Sequence, residues 1–233
     1  MRDVLEYIEI QENKFSQLGF FRFLTDSKID YEQRLSWFYY IAQLAMSFKD
    51  LNNNILNIEL NDYTFQTMVN SYLVENGSYW KEYLNYLETL EIDQVIQSSV
   101  SLKFMWSDKT LKTRRLANNL MATCRYEADF LLKIVIITAI EAAGSPALSA
   151  IAQVSEELQT ITHNSNVYFS HKVLKFESES FLLNIELNPE QKAQALVLVD
   201  YVFDKFTEYA NGLMQLTQHN CQALPTQARY ALC

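Results

Sequence analysis

The sequence predicts an all-α protein, a single bundle of seven or eight helices, and three observations carry that expectation. Only 4 Gly and 3 Pro punctuate 233 residues, far below average usage, so the chain offers few turns. Between those breaks the apolar residues recur at spacings of three and four, the signature of one helix face. The turn signals that a β-sandwich or barrel requires every 8–12 residues or so are absent.

Residues 3–23 carry Val4, Leu5, Ile8, Phe15, Leu18 and Phe21 on a helical repeat, with Gly19 as a break. Asp30 is placed to cap a helix over 31–53, in which Leu35, Phe38, Tyr39, Ala42, Ala45, Met46 and Leu51 form one broad buried face. Asn61 and Asp62 open the next helix, which passes through Phe65, Met68, Val69 and Tyr72 to about Leu90. Gly77 lies inside it; an interior glycine costs about 1 kcal/mol against alanine, so this one marks a bend or a close backbone approach. Asp93 caps a shorter helix to Trp106, and Ser107 with Asp108 caps a segment over 109–143. At about 35 residues that segment exceeds the usual globular helix, so a break or kink is expected near Arg125. Its second half, with Leu131, Leu132, Ile134, Val135, Ile136, Ile137 and Ile140, is apolar nearly all round and belongs at the centre of the fold.

Gly144-Ser145-Pro146 is expected to stop that segment and to start a helix over 146–160, with proline in its first turn. A loop over 162–166 and a helix over 167–183 bearing His171, Glu177 and Glu179 follow. Asn188-Pro189-Glu190 then starts a last helix through Tyr201, Phe203, Phe206, Tyr209 and Leu213 to Gln222. No linker, low-complexity segment or repeat divides the chain. Residues 1–222 are therefore read as one domain and 223–233, with Pro225, as a tail.

The net charge of −9, from 28 acidic and 19 basic residues, argues against a nucleic-acid partner, which needs a basic stripe. The densest basic cluster, Lys109, Lys112, Arg114 and Arg115, reads as a solvated helix face. Cys124, Cys221 and Cys233 lack metal-type spacing, and their odd number leaves a thiol unpaired within the chain, as suits a reducing compartment. The first residues mix charges and lack the apolar core of a signal peptide. The apolar run 130–143, interrupted by Lys133 and Glu141, is too short and too charged for a membrane span. A soluble, cytoplasmic protein is expected, with a homodimer as an admissible assembly.

Standard catalytic motifs are absent: no glycine-rich phosphate loop, no Gly-x-Ser-x-Gly elbow, no Cys-x-x-Cys and no His-Glu-x-x-His. What remains is a set of carboxylates inside otherwise apolar helices. Glu141 closes the most hydrophobic segment, at an expected helix C-terminus where burial and the helix dipole both disfavour an anion. Glu75 shares a helix face with Tyr79, and Glu177 shares one with Val173 and Ser180. Glu75, Glu141 and Glu177 on three helices would match the way bundles hold carboxylate-bridged metals.

Several passages, in this order, resemble the haem-oxygenase-like diiron oxidases. They are Glu75-Asn76-Gly77-Ser78-Tyr79-Trp80 with Tyr83, Leu84, Leu87 and Leu90, then Ile140-Glu141 to Gly144, then Tyr168 to His171 leading to Glu177-Ser178-Glu179-Ser180. That superfamily includes a chlamydial protein associating with death domains and shares its helical fold with the thiaminase-II-like proteins; the resemblance covers about residues 30–215. It implies a haem-oxygenase-like bundle with Glu75, Glu141 and Glu177 as retained carboxylates. The histidines of the family's metal site are replaced by Ser78 or Tyr79, by Val173 and by Ser180. Carboxylates without imidazole make a poor oxygen-activating iron site. The expectation is accordingly a degenerate site with no cofactor, lined by Glu75, Ser78, Tyr79, Glu141, Val173, Glu177 and Ser180, that binds a small or elongated apolar organic ligand. Two alternatives are a metal-dependent oxidoreductase holding iron or another divalent ion on Glu75, Glu141 and Glu177, and a non-catalytic interaction module.

Overall fold

The computed structural model describes residues 1–56, 66–67, 79–89, 103–162 and 182–223. Among these residues the chain forms eight α-helices, two 3-10 turns and no strand. The all-α class therefore holds.

Helix α1 (Arg2–Ser16) turns Val4, Ile8 and Phe15 inward. Gln17 and Leu18 separate it from α2 (Gly19–Thr25), so Gly19 opens a helix instead of breaking one. Asp30 caps α3 (Tyr31–Leu35) as its chemistry predicts, accepting from the Glu32 amide at 2.8 Å.

The single helix expected over 31–53 does not form. Helix α3 ends at Leu35, a 3-10 turn spans Phe38–Ile41, and α4 (Ala42–Leu56) follows. The carbonyls of this aromatic run have other partners: Tyr83 Oη donates to the Phe38 carbonyl at 3.0 Å and Thr113 Oγ1 to the Tyr40 carbonyl at 2.6 Å. Both donors stand on later helices, α5 (Tyr79–Thr89) and α6 (Leu111–Tyr126). The break shifts the helical phase, which leaves Met46 exposed instead of on the buried face.

A second 3-10 turn, Asp108–Thr110, precedes α6. Ser107 does not cap it; its hydroxyl turns back to the Phe104 carbonyl at 2.7 Å. Arg114 also leaves the solvated face expected of it and donates to the carbonyls of Met105 and Ser107 at 2.7 and 3.0 Å. The expected interruption near Arg125 is a full break. Glu127 Oε1 accepts from the Asp129 amide and Asp129 Oδ1 from the Leu131 amide, both at 2.8 Å, so two carboxylates end one helix and start the next.

Helix α7 (Phe130–Thr162) runs straight through Gly144-Ser145-Pro146, where the sequence predicts a stop. A proline inside a helix costs about 3 kcal/mol through a lost hydrogen bond and a crowded carbonyl. Burial outweighs that. Ile136, Ile137, Ile140 and Ala143 before the proline, and Ala150, Ile151 and Val154 after it, are all buried, and each large aliphatic contributes roughly 1.5–3 kcal/mol. Because the helix continues, its stretch Phe130–Leu158 is long and apolar enough to cross a membrane by length and composition, with mean hydropathy 1.8; counting only 130–143 understated it. Half of its most apolar window is buried against the rest of the protein, and a core helix passes the same test.

Helix α8 (Pro189–Ala223) starts where the sequence places it. Asn188 Oδ1 accepts from the Gln191 amide at 2.9 Å while Gln191 Oε1 accepts from the Asn188 amide at 3.0 Å, a reciprocal capping box. Helices α7 and α8 pack on each other and both carry α1, α2 and α3; α4 packs on α5 and α6, and α6 on α8. Across the α1–α8 contact Tyr7 Oη and Gln11 Nε2 donate to Asp200 Oδ1 at 2.6 and 2.9 Å, and Lys192 pairs with Asp3. Arg34, 3% exposed, ties α3 to Glu157 of α7. The helix expected to start at Asn61 is described only at 66–67 and in α5, both helical, and Gly77 lies outside. So do Asp93 and nearly all of the segment expected over 162–183.

Candidate functional site

The interior is not closed. A cavity of about 190 Å³ lies where α2, the Phe38–Ile41 turn, α4, α5, α7 and α8 converge. Its walls are mostly aromatic and aliphatic. Rings form a continuous edge-to-face belt: Phe20 meets Trp37 at 5.4 Å between centroids and 84°, and Trp37 meets Phe38 at 5.6 Å and 81°. Tyr83 extends the belt, 5.0 Å from Phe38. Helix α8 adds Phe206, Tyr209 and Leu213.

Helix α7 supplies the opposite wall through Ile140, Glu141, Gly144, Ala147, Leu148 and Ile151, positions that recur every three or four residues along one face. The Gly-Ser-Pro sequence therefore sits in the wall of the cavity. A β-carbon built on Gly144 meets nothing within 4 Å, so the glycine fronts open space.

Among the described lining residues few are polar. Glu141 lies in the middle of α7, not at a helix end, so the dipole penalty expected for it does not apply. Its side chain is half-buried, and Oε1 is out of contact with solvent. Glu82 of α5 is exposed and lines the same cavity. Trp37 Nε1 and Tyr209 Oη are buried without a hydrogen-bond partner among the described residues. Burial pushes the Tyr209 phenol well above its ordinary value. Thr113 stands near enough to oppose that shift, but its Oγ1 already donates to the Tyr40 carbonyl. These polar atoms can orient a ligand; they contain no nucleophile paired with a base.

Of the residues expected to form a site, Glu141 is the one whose side chain is described, and it lines the cavity. The backbone of Tyr79 begins α5. Its side chain and all of Glu75, Ser78, Val173, Glu177 and Ser180 lie outside the described residues, as do His163 and His171. Among the described residues no three His, Cys, Asp or Glu side chains gather as metal ligands. Cys124 is a free thiol in the core, pushed up to about 12 by burial. Sequence reading missed the main wall residues Phe20, Trp37, Phe38 and Gly144. The available signal was the density of aromatics at Phe20-Phe21 and at Trp37 to Tyr40, more than one helix stripe needs. No protein-family model matches the chain, and no curated protein matches it.

Proposed function

We propose that the protein binds a small, mainly apolar organic molecule in this cavity, on a bundle of the haem-oxygenase-like type that its sequence resembles. The observation that carries the reading is the cavity of about 190 Å³ with a ring-lined wall and an open face at Gly144. Protein interiors pack as densely as organic crystals and rarely leave voids larger than a water molecule. An apolar cavity of about 150 Å³ admits benzene, so the ligand here is ring-sized or a short branched chain. Glu141 links the resemblance to the cavity, being the expected carboxylate that lines it. No redox step is part of this reading, which needs the residues only to bind and orient. Helix α7 is read as the core of a soluble fold, because it is packed by α1, α2, α3 and α8.

Benzene titration tests the proposal. At ten times its Kd a ligand that binds only the folded state adds about 1.4 kcal/mol. For a chain of this size that raises Tm by roughly 3–6 °C. Gly144→Phe, which places a ring in the open space, abolishes the shift while the protein still unfolds cooperatively. Absence of any shift in the parent protein refutes the reading.

A further inference from the structure

We infer that the protein rests the outer face of α6 on an anionic membrane surface, with basic side chains meeting the lipid headgroups and two aromatic side chains entering the headgroup layer. Charge is unevenly placed along the chain. Residues 103–126 hold six of the 19 basic residues and one of the 28 acidic ones, Asp108, so this segment carries +5; the remaining 13 basic and 27 acidic residues carry −14. Helix α6 itself has no acidic residue, and it turns Thr113, Leu116, Ala117, Leu120 and Cys124 into the core. The positions it leaves exposed are Lys112, Arg115, Asn118, Ala122, Arg125 and Tyr126. The first five recur every three or four residues, so the cations stand in one row, about 20 Å long at 1.5 Å per residue. Lys103 and Lys109 are exposed just before the helix. Trp106, between them, is 64% exposed, and Tyr126 at the far end is 84% exposed.

Among the described residues Lys103, Lys109, Arg115 and Arg125 have no ion-pair partner, and Lys112 Nζ reaches only the Gln215 amide oxygen at 3.5 Å. The carboxylates that follow the row, Glu127 and Asp129, are engaged by backbone amides at the helix break. The cations therefore keep their charge for an outside partner, and each basic side chain at an anionic membrane strengthens partition about fivefold. Trp and Tyr settle at the headgroup level because the ring is apolar and its N–H or O–H is polar. Nucleic acid fits this face less well. Single strands lie in a basic groove with rings on which successive bases stack, whereas Trp106 and Tyr126 stand at opposite ends of a helix row. Duplex reading needs a helix that enters a groove about 12 Å wide, and α6 is packed on both α4 and α8. The acidic remainder does not oppose a flat membrane, because charge more than about 8 Å from it is largely screened at physiological salt.

Co-sedimentation of the full chain with lipid vesicles tests the contact. Binding is expected to vesicles of phosphatidylcholine with phosphatidylserine and not to phosphatidylcholine alone. It falls away between about 0.1 M and about 1 M salt, as the Debye length shrinks from roughly 10 to 3 Å. Lys112→Gln with Arg115→Gln lowers the partition roughly thirtyfold, about fivefold for each charge. Lys14→Gln with Lys28→Gln makes the same change in net charge at exposed lysines of α1 and of the turn before α3, and leaves binding nearly unchanged. Trp106→Ala removes the blue shift of tryptophan emission on binding, Trp37 being buried and Trp80 half-buried already. None of the substituted side chains lines the cavity, so the response to benzene survives all of them. No binding to the anionic vesicles, an equal loss in the two double variants, or tighter binding to a DNA oligonucleotide than to the vesicles overturns the inference.

Discussion

Replacing Gly144 by alanine separates two readings of the central segment by the sign of its effect. If a helix ended at Gly144, the glycine would serve as a left-handed cap, and a β-carbon there would be strained. In the structure Gly144 lies inside α7, with no positive φ and nothing within 4 Å of the place a methyl group would occupy. Alanine therefore gains helix propensity over glycine, about 0.8–1 kcal/mol. It also narrows the unfolded ensemble, a contribution that overlaps with the propensity term and is not added to it. No steric term opposes it, and the methyl group projects into free space. The expected result is a stabilisation of about 0.5–1 kcal/mol, or roughly 1–4 °C in Tm for a domain of this size. Thermal unfolding by circular dichroism, with a urea titration to confirm an unchanged slope, measures it. A fall in Tm refutes the continuous helix and restores the stop that Gly144-Ser145-Pro146 suggests.

Three further outcomes follow from the packing. The Arg34 hydrogen bond, with smaller help from Gln153, holds the Glu157 carboxyl below its ordinary 4.5, so its stabilisation is complete above that pH and is lost as pH falls through the lower folded value. Glu157→Gln is expected to cost about 2–3 kcal/mol at pH 7, because it strips the charge partner from a buried guanidinium. Denaturant titrations at pH 7 and pH 3 should converge for parent and variant, and an unchanged gap disproves the linkage. Thr113→Val keeps the shape but removes the donor to the Tyr40 carbonyl, at a cost of about 1–2 kcal/mol; urea unfolding checks it, and no loss sinks the tether. Cys124, buried and pushed up to about 12, should resist alkylation at pH 8 until the chain unfolds. Mass-spectrometric labelling of a Cys221→Ser, Cys233→Ser background reads this directly, and rapid native labelling contradicts it.

What the sequence disclosed was local chemistry. Asp30 and Asn188-Pro189 announce helix starts because a cap bonds to amides two or three residues away, well within reach of a motif. The break after Leu35 was hidden because the donors that hold it, Tyr83 and Thr113, are 45 and 73 residues from their acceptors. Pro146 misled for the complementary reason: its cost is local, while the burial that overrides it comes from four other helices. The aromatic content was plain, yet which rings surround a cavity depends on how α2, α4, α7 and α8 meet. Glu141 was legible as a carboxylate within an apolar helix, though its place in mid-helix was not.

The contact between α1 and α8 has a consequence for biosynthesis. Tyr7 and Asp200 are 193 residues apart, and Asp3 pairs with Lys192 across 189. Helix α1 leaves the ribosome before α7 and α8, the two helices it packs on, so Val4, Ile8 and Phe15 lack those partners until the second half of the chain has been made. Helix α1 therefore presents an uncovered apolar face to chaperones for that interval, and its contacts with α8 close only after residues 189–223 are free.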